Sequence, residues 1–288
     1  MPARAEVREA RAPALAAPAG ARARPWDGLA RAIGLLTIVP VPRAAWGAGA
    51  KPSPVAGAAT EASIPAVTPL RGAAAWFPLV GAAVGAVAGG VRLLLATPLG
   101  AAVATVLAMI ALVTVTGALH QDGLADTADA LGARGGRARR LEVMRDSATG
   151  VFGALALIAW ALLLFTTIAA LDGERALRAL IVACALARWA ALLHAAAASP
   201  ARSDGLGAAL HVSRTAVAMA TLTSVALALA VCGLVAGASA IGAALLFAAF
   251  SVPCARRVFG GRTGDTLGAT VAVTELAVCV ALLANWHG

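Results

Sequence analysis

Residues 119–150 read LHQDGLADTADALGARGGRARRLEVMRDSATG and gather Asp122, Asp126, Asp129, Glu142 and Asp146 beside five arginines. Asp122, Asp126 and Asp129 stand at i, i+4 and i+7, which on a helix places them within about 60° of arc. Three like charges on one stripe repel, so a cation should compensate them. The bland compensation is the adjacent arginine cluster acting through surface ion pairs. The more specific one is Mg²⁺, which takes hard oxygen ligands and leaves positions for water and substrate phosphate. In LEVMRDSATG, Glu142 and Asp146 are again four apart, and Gly135-Gly136 reads as the turn that folds two short helices into an acidic hairpin. Gly123 has two readings: its missing Cβ lets a phosphate or metal approach the backbone, or it starts the helix. The arginines, Arg145 among them, offer forked donors that match phosphate oxygens.

A second acidic position lies far along the chain, in RRVFGGRTGDTLGATVAVTE at 256–275. Asp265 sits there in a glycine-rich loop, and Glu275 follows inside an apolar run, where an ionisable group is costly and functional by default. Arg188, midway along another apolar run, either pairs with a buried acid such as Glu275 or binds phosphate. His120, just before the acidic run, is a candidate for contact with substrate or an acid, whereas His194 reads as a satisfied polar residue. The four cysteines have no CxxC pairing and read as small buried hydrophobes.

The elements that position these residues follow from composition. The chain is 60% hydrophobic and 13% charged, with a mean hydropathy of +0.85, outside the range of soluble domains. Apolar runs long enough to cross a bilayer fall near 73–96, 99–119, 151–171, 176–198, 215–237, 239–255 and 269–286. An all-α polytopic membrane protein of about seven transmembrane helices is expected, because no alternating ten-residue pattern suggests a barrel. Its net charge of +9 is not a nucleic-acid signal: the basic residues concentrate in segments that seven spans place on one side, which the positive-inside rule assigns to the cytoplasm. Residues 1–28 read as a disordered basic tail and 29–286 as a single membrane domain, with a flexible Pro/Ala/Gly-rich insertion at 44–69.

Taken together, GALHQDGLADTADALGA, RRLEVMRDSATGVFGALAL, ARSDGLGAAL and GGRTGDTLGA resemble the cobalamin synthase family, the adenosylcobinamide-GDP ribazoletransferases. The resemblance runs from LLTIVPVP at 35–42 to GDTLGA at 264–269. It implies an Mg²⁺-dependent transferase of the bacterial cytoplasmic membrane, with its acidic loop facing the cytoplasm. The implied substrates are adenosylcobinamide-GDP and α-ribazole or its 5′-phosphate; the products are adenosylcobalamin or its 5′-phosphate plus GMP. On this reading Asp122, Asp126, Asp129 and Asp146 form the metal and base set, with Glu142 a further ligand, and the base is any one of the aspartates. His120, Gly123, Arg145, Arg188, Arg202 and Asp265 are the expected substrate contacts.

Two other classes fit parts of the pattern. A CDP-alcohol phosphotransferase would also use membrane aspartates, but the spacing here is not D-x-x-DG-x-x-AR. A cation transporter would place its acids near the midplane of paired repeats, and no repeat is visible in this sequence.

Overall fold

The computed structural model describes residues 25–42 and 72–287. The insertion expected at 44–69 and residues 1–24 of the expected tail lie outside the described residues. Residues 25–28, assigned to that tail from sequence, instead open helix α1 (Pro25–Leu36). Pro25 takes the first helical position, where its missing N–H is not needed, and Asp27 faces the positive end of the helix dipole.

After a 3₁₀ turn at Ala74–Trp76 come α2 (Phe77–Leu99), α3 (Ala101–Val115), α4 (Leu119–Gly132), α5 (Arg137–Val143), α6 (Val151–Ala169) and α7 (Gly173–Ala197). They are followed by α8 (Gly205–Ala209), α9 (Arg214–Cys232), α10 (Leu234–Phe259) and α11 (Gly264–His287). The described residues contain no strand beyond one isolated bridge between Pro200 and Arg262. Six helices are long and apolar enough to cross a membrane, and the α3–α4 pair makes a seventh if counted as one span. That pair bends by 87°. Gly117 and Ala118 both take left-handed backbone there (φ 61° and 58°), so the run read as one span at 99–119 ends at Val115, and α4 leaves in a new direction. Ala118 holds a conformation that costs a non-glycine residue about 1–2 kcal/mol.

Lipid tails are as apolar as leucine, so close packing rather than hydrophobic exclusion must hold the spans together. Gly81, Gly85 and Gly89 supply it: a Cβ built on Gly85 would lie 2.2 Å from the Leu180 carbonyl oxygen, so α2 rests directly on the backbone of α7. Helices α7 and α11 are the most enclosed spans, with 72% and 61% of their apolar windows buried, against 28% for α6 and α10. Two of the buried charged residues, Arg188 and Glu275, sit on these two central helices.

Hydrogen bonds across the loops show which ends share a side. Arg137 donates to the Ala201 carbonyl (3.0 Å), and Arg202 pairs with Asp265 (3.1 Å). The hairpin α4–α5, the 198–213 segment and the 260–263 turn therefore meet at one end of the bundle. At the other end, Arg92 donates to Leu171 O and Arg175 to Trp286 O.

Candidate active site

Helix α4 reaches its place through two glycines. A Cβ on Gly123 would fall 2.7 Å from Asp265 O, and one on Gly268 would fall 3.3 Å from Leu119 O, so α4 and the first turns of α11 touch backbone to backbone. Of the two sequence readings of Gly123, the geometry matches neither directly. Its bare Cα serves a helix crossing that brings Asp265 beside Asp122 and Asp126. Replacing Gly123 with Ala should therefore push α4 off α11, lowering both thermal stability and turnover. A Gly123→Ala protein with wild-type values of both would show that the crossing is dispensable.

The crossing has an electrostatic consequence. Asp126 lies on α4, outside the spans, and its carboxyl is pushed up to about 7 by burial first and then by Asp122, Asp265 and Asp129. A carboxylate so placed is half protonated near neutrality unless a cation joins it.

Beside this cluster opens a cavity of about 660 Å³. Its charged wall carries His120, Asp122, Arg145, Arg188, Arg202, Asp204 and Asp265; Leu35, Leu36, Phe77, Leu206, Leu210 and Val271 form an apolar wall. Five of the six residues expected to contact substrate line it. Gly123 does not, being buried in the α4–α11 contact. Two arginines on the cavity wall are held by acids: Arg145 by Asp204 at 2.5 Å and Arg202 by Asp265 at 3.1 Å. Arg188 is fully buried and ion-paired with Glu275, with His120 Nδ1 3.5 Å from its Nη2. Of the two sequence readings of Arg188, the pairing is formed, and the same side chain lines the cavity.

Three acids of the expected metal set have partners within the protein. Asp129 accepts from the backbone N–H groups of Gly150 (2.7 Å) and Gly153 (2.8 Å), so both of its oxygens cap the start of α6. Asp146 is exposed and accepts from Ala148 N (3.0 Å). Glu142 pairs with Arg139 (2.9 Å) on the exposed face of α5. The physical reason for the last two is the length of α5: it ends at Val143, so the i, i+4 relation of Glu142 and Asp146 does not act.

Arg262 counted in the sequence only as a positive charge, yet it organises the site. Its guanidinium is buried and donates to four carbonyls: Ala195 (2.8 Å), Ala198, Gly207 (2.9 Å) and Leu210 (2.9 Å). These bonds clamp both ends of the segment that presents Arg202 and Asp204 to the cavity. Its position between Gly260-Gly261 and Thr263-Gly264-Asp265 is the one sequence signal for it. Asp204, another cavity residue that the sequence did not single out, lies in the same segment.

The described residues hold no group of three His, Cys, Asp or Glu side chains that could surround a metal as they stand. Mg²⁺ does not require one, since it keeps several waters and is held by one or two carboxylates together with substrate phosphates. The mutually repelling Asp122, Asp126 and Asp265 fit that demand.

Comparison with known proteins gives the family. Residues 28–283 match the family model described as cobalamin-5-phosphate synthase. An adenosylcobinamide-GDP ribazoletransferase of Azorhizobium caulinodans is 40% identical over 240 residues, 79% of this chain and 89% of that protein. Proteins of the same name from Mesorhizobium japonicum (44% over 180 residues, 61% of this chain and 68% of theirs) and Klebsiella pneumoniae (40% over 218 residues, 72% and 85%) are also similar. No solved structure matches. With the match running from α1 to the last turns of α11 and taking in every residue of the cavity wall, the chain belongs to the cobalamin-5-phosphate synthase family.

Proposed function

We propose that this membrane enzyme joins adenosylcobinamide-GDP to α-ribazole or its 5′-phosphate at the cavity where α4 meets α11, releasing GMP. We further propose that Asp126 and Asp265 hold Mg²⁺ there. The observation that carries this reading is that Asp122 and Asp265 line the cavity together with Arg145 and Arg202, with Asp126 behind them close enough to feel both carboxylates, because a diphosphate with its divalent ion needs both kinds of partner at once.

A ribose hydroxyl attacks the β-phosphorus, a new P–O bond forms, and the bond to the bridging oxygen of GMP breaks. Mg²⁺, when bound, neutralises charge on the diphosphate oxygens. Arg145 and Arg202 orient the diphosphate by exchanging their present partners, Asp204 and Asp265, for its oxygens. That exchange would leave Asp265 free to hold the ion. Asp122 lines the cavity and has no ion-pair partner among the described residues, so it is placed to take the proton of the attacking hydroxyl. The apolar wall suits a flat, weakly polar group such as the base of the nucleoside.

The test is purified protein in lipid with both substrates and Mg²⁺, read by GMP release. Chelation should abolish turnover, and Mg²⁺ should restore it. Release of CMP from a CDP-alcohol, with no GMP, would instead make it a phospholipid-type transferase. A pH series sharpens the metal assignment. Below about 7 Asp126 carries a proton that the ion must displace, so the Mg²⁺ needed for half-maximal rate should climb, by about tenfold per pH unit, as pH falls. Above that pH it should level off. A half-saturation that is flat across this window would remove Asp126 from the ligand set.

The site end of the bundle bears Arg134, Arg137, Arg139, Arg140, Arg202, Arg256 and Arg257, which supports placing it on the cytoplasmic side of a bacterial inner membrane. A cysteine introduced at Gly135 should react with an impermeant thiol reagent only from the cytoplasm, and one at Gly173 only from the opposite face. Labelling of both from one side would overturn this orientation.

A further inference from the structure

On the side of α4 away from the aspartates there is a second, smaller cavity of about 160 Å³ between α4, α10 and α11. Thr127 and Leu131 line it, whereas Asp122 and Asp126 project from the opposite side of the helical wheel. No charged side chain contributes to its wall, which is otherwise built mainly from apolar residues such as Phe247, Phe250 and Phe259.

Among its polar side chains, the hydroxyls of Ser251, Thr266 and Thr270 have partners and two atoms do not. His194 is fully buried and its Nε2 has no partner; Thr127 Oγ1 is likewise buried and unpartnered. The state of the imidazole follows from its neighbours. Thr270 donates its hydroxyl proton to the Thr266 carbonyl (2.8 Å), so it accepts from His194 Nδ1–H at 2.9 Å, and this assignment leaves Nε2 a bare acceptor. A buried acceptor without a donor costs about 1–3 kcal/mol. A ligand hydroxyl or a water could supply that donor, and the apolar remainder of the wall, with Phe247, Phe250, Phe259 and Val273, favours a ligand that also brings an apolar body.

The exposed edge of the cavity lies along a span. α10 is one of the least enclosed spans, and Phe250, 65% exposed, and Leu131, 45% exposed, lie at the cavity's outer edge. We propose that this cavity binds a neutral, lipid-soluble hydroxyl compound from the bilayer, its apolar body between α4 and α10 and its O–H donated to His194 Nε2. The absence of charge in the wall selects against ions, and the bare nitrogen selects for a donor over a plain hydrocarbon. Helix α4 then lies between substrate on one face and a membrane-derived ligand on the other. This site is separate from the ribazole transfer and stands whether or not the metal assignment does.

The test uses the full chain, labelled with ¹⁵N-histidine in detergent micelles and titrated with phenol or with toluene, which has the same size but no O–H. The His194 resonance is identified by its loss in His194→Gln or, if that variant does not fold, by substituting the other three histidines in turn. Phenol should move the bare Nε2 resonance saturably toward the hydrogen-bonded position, and toluene should not. Ala128→Leu, which fills the cavity from α4, should remove the response to phenol. The proposal is overturned if phenol gives no saturable shift, if toluene gives the same shift, or if Ala128→Leu responds as the wild type does. A nitrogen already at the hydrogen-bonded position and unmoved by phenol would show a resident water and would overturn it as well.

Discussion

Asp122→Asn should slow GMP release by at least about 10²-fold, the scale for losing a positioned catalytic group, and Asp126→Asn and Asp265→Asn should do the same. Asparagine keeps the shape and removes the charge, so the folded protein should remain in the membrane. The three should differ in kind. With Asp126→Asn and Asp265→Asn, raised Mg²⁺ should recover part of the rate, because the remaining carboxylates still bind weakly. With Asp122→Asn it should not, since the missing group takes a proton. Glu142→Gln should be close to wild type, because an exposed pair with Arg139 contributes little. Asp146→Asn should be mild too, as an amide oxygen still accepts from Ala148 N. If Glu142→Gln and Asp146→Asn prove as damaging as Asp122→Asn, a general electrostatic role for the whole hairpin would replace the three-aspartate site.

The other large effect is at the buried pair. Arg188→Met leaves Glu275 uncompensated in the least exposed part of the bundle and should destabilise the protein by about 3–5 kcal/mol, seen as a lower unfolding temperature in detergent. Replacing both partners, Arg188→Met with Glu275→Leu, should recover most of that loss, since apolar pairs of similar volume often substitute well for buried ions. Activity then separates the two readings of Arg188. A stable double variant that stays inactive means that Arg188 holds substrate anion; one that regains turnover means that its role is structural.

Much of the architecture was legible because a bilayer leaves few options. Long uncharged runs must be helices to satisfy their own backbone, so the spans expected from hydropathy and the helices seen differ mainly at their ends. The exception is the run at 99–119: a bend at Gly117 and Ala118 is a backbone event that hydropathy does not record. The hairpin turn at Gly135-Gly136 and the pairing of Arg188 with Glu275 were also within reach, the first through glycine chemistry and the second because a buried charge demands a partner.

The composition of the site was decided elsewhere. Helical periodicity determined that Asp122, Asp126 and Asp129 share a stripe, but not what that stripe meets. Only the glycine crossing of α4 on α11 brings in Asp265 from 139 to 143 residues away along the chain, and only the start of α6 takes both oxygens of Asp129 for its own cap. Arg262 was invisible for the same reason. Its four acceptors are backbone carbonyls, which every sequence carries, and nothing but the folded path of the chain brings those four within reach of one guanidinium.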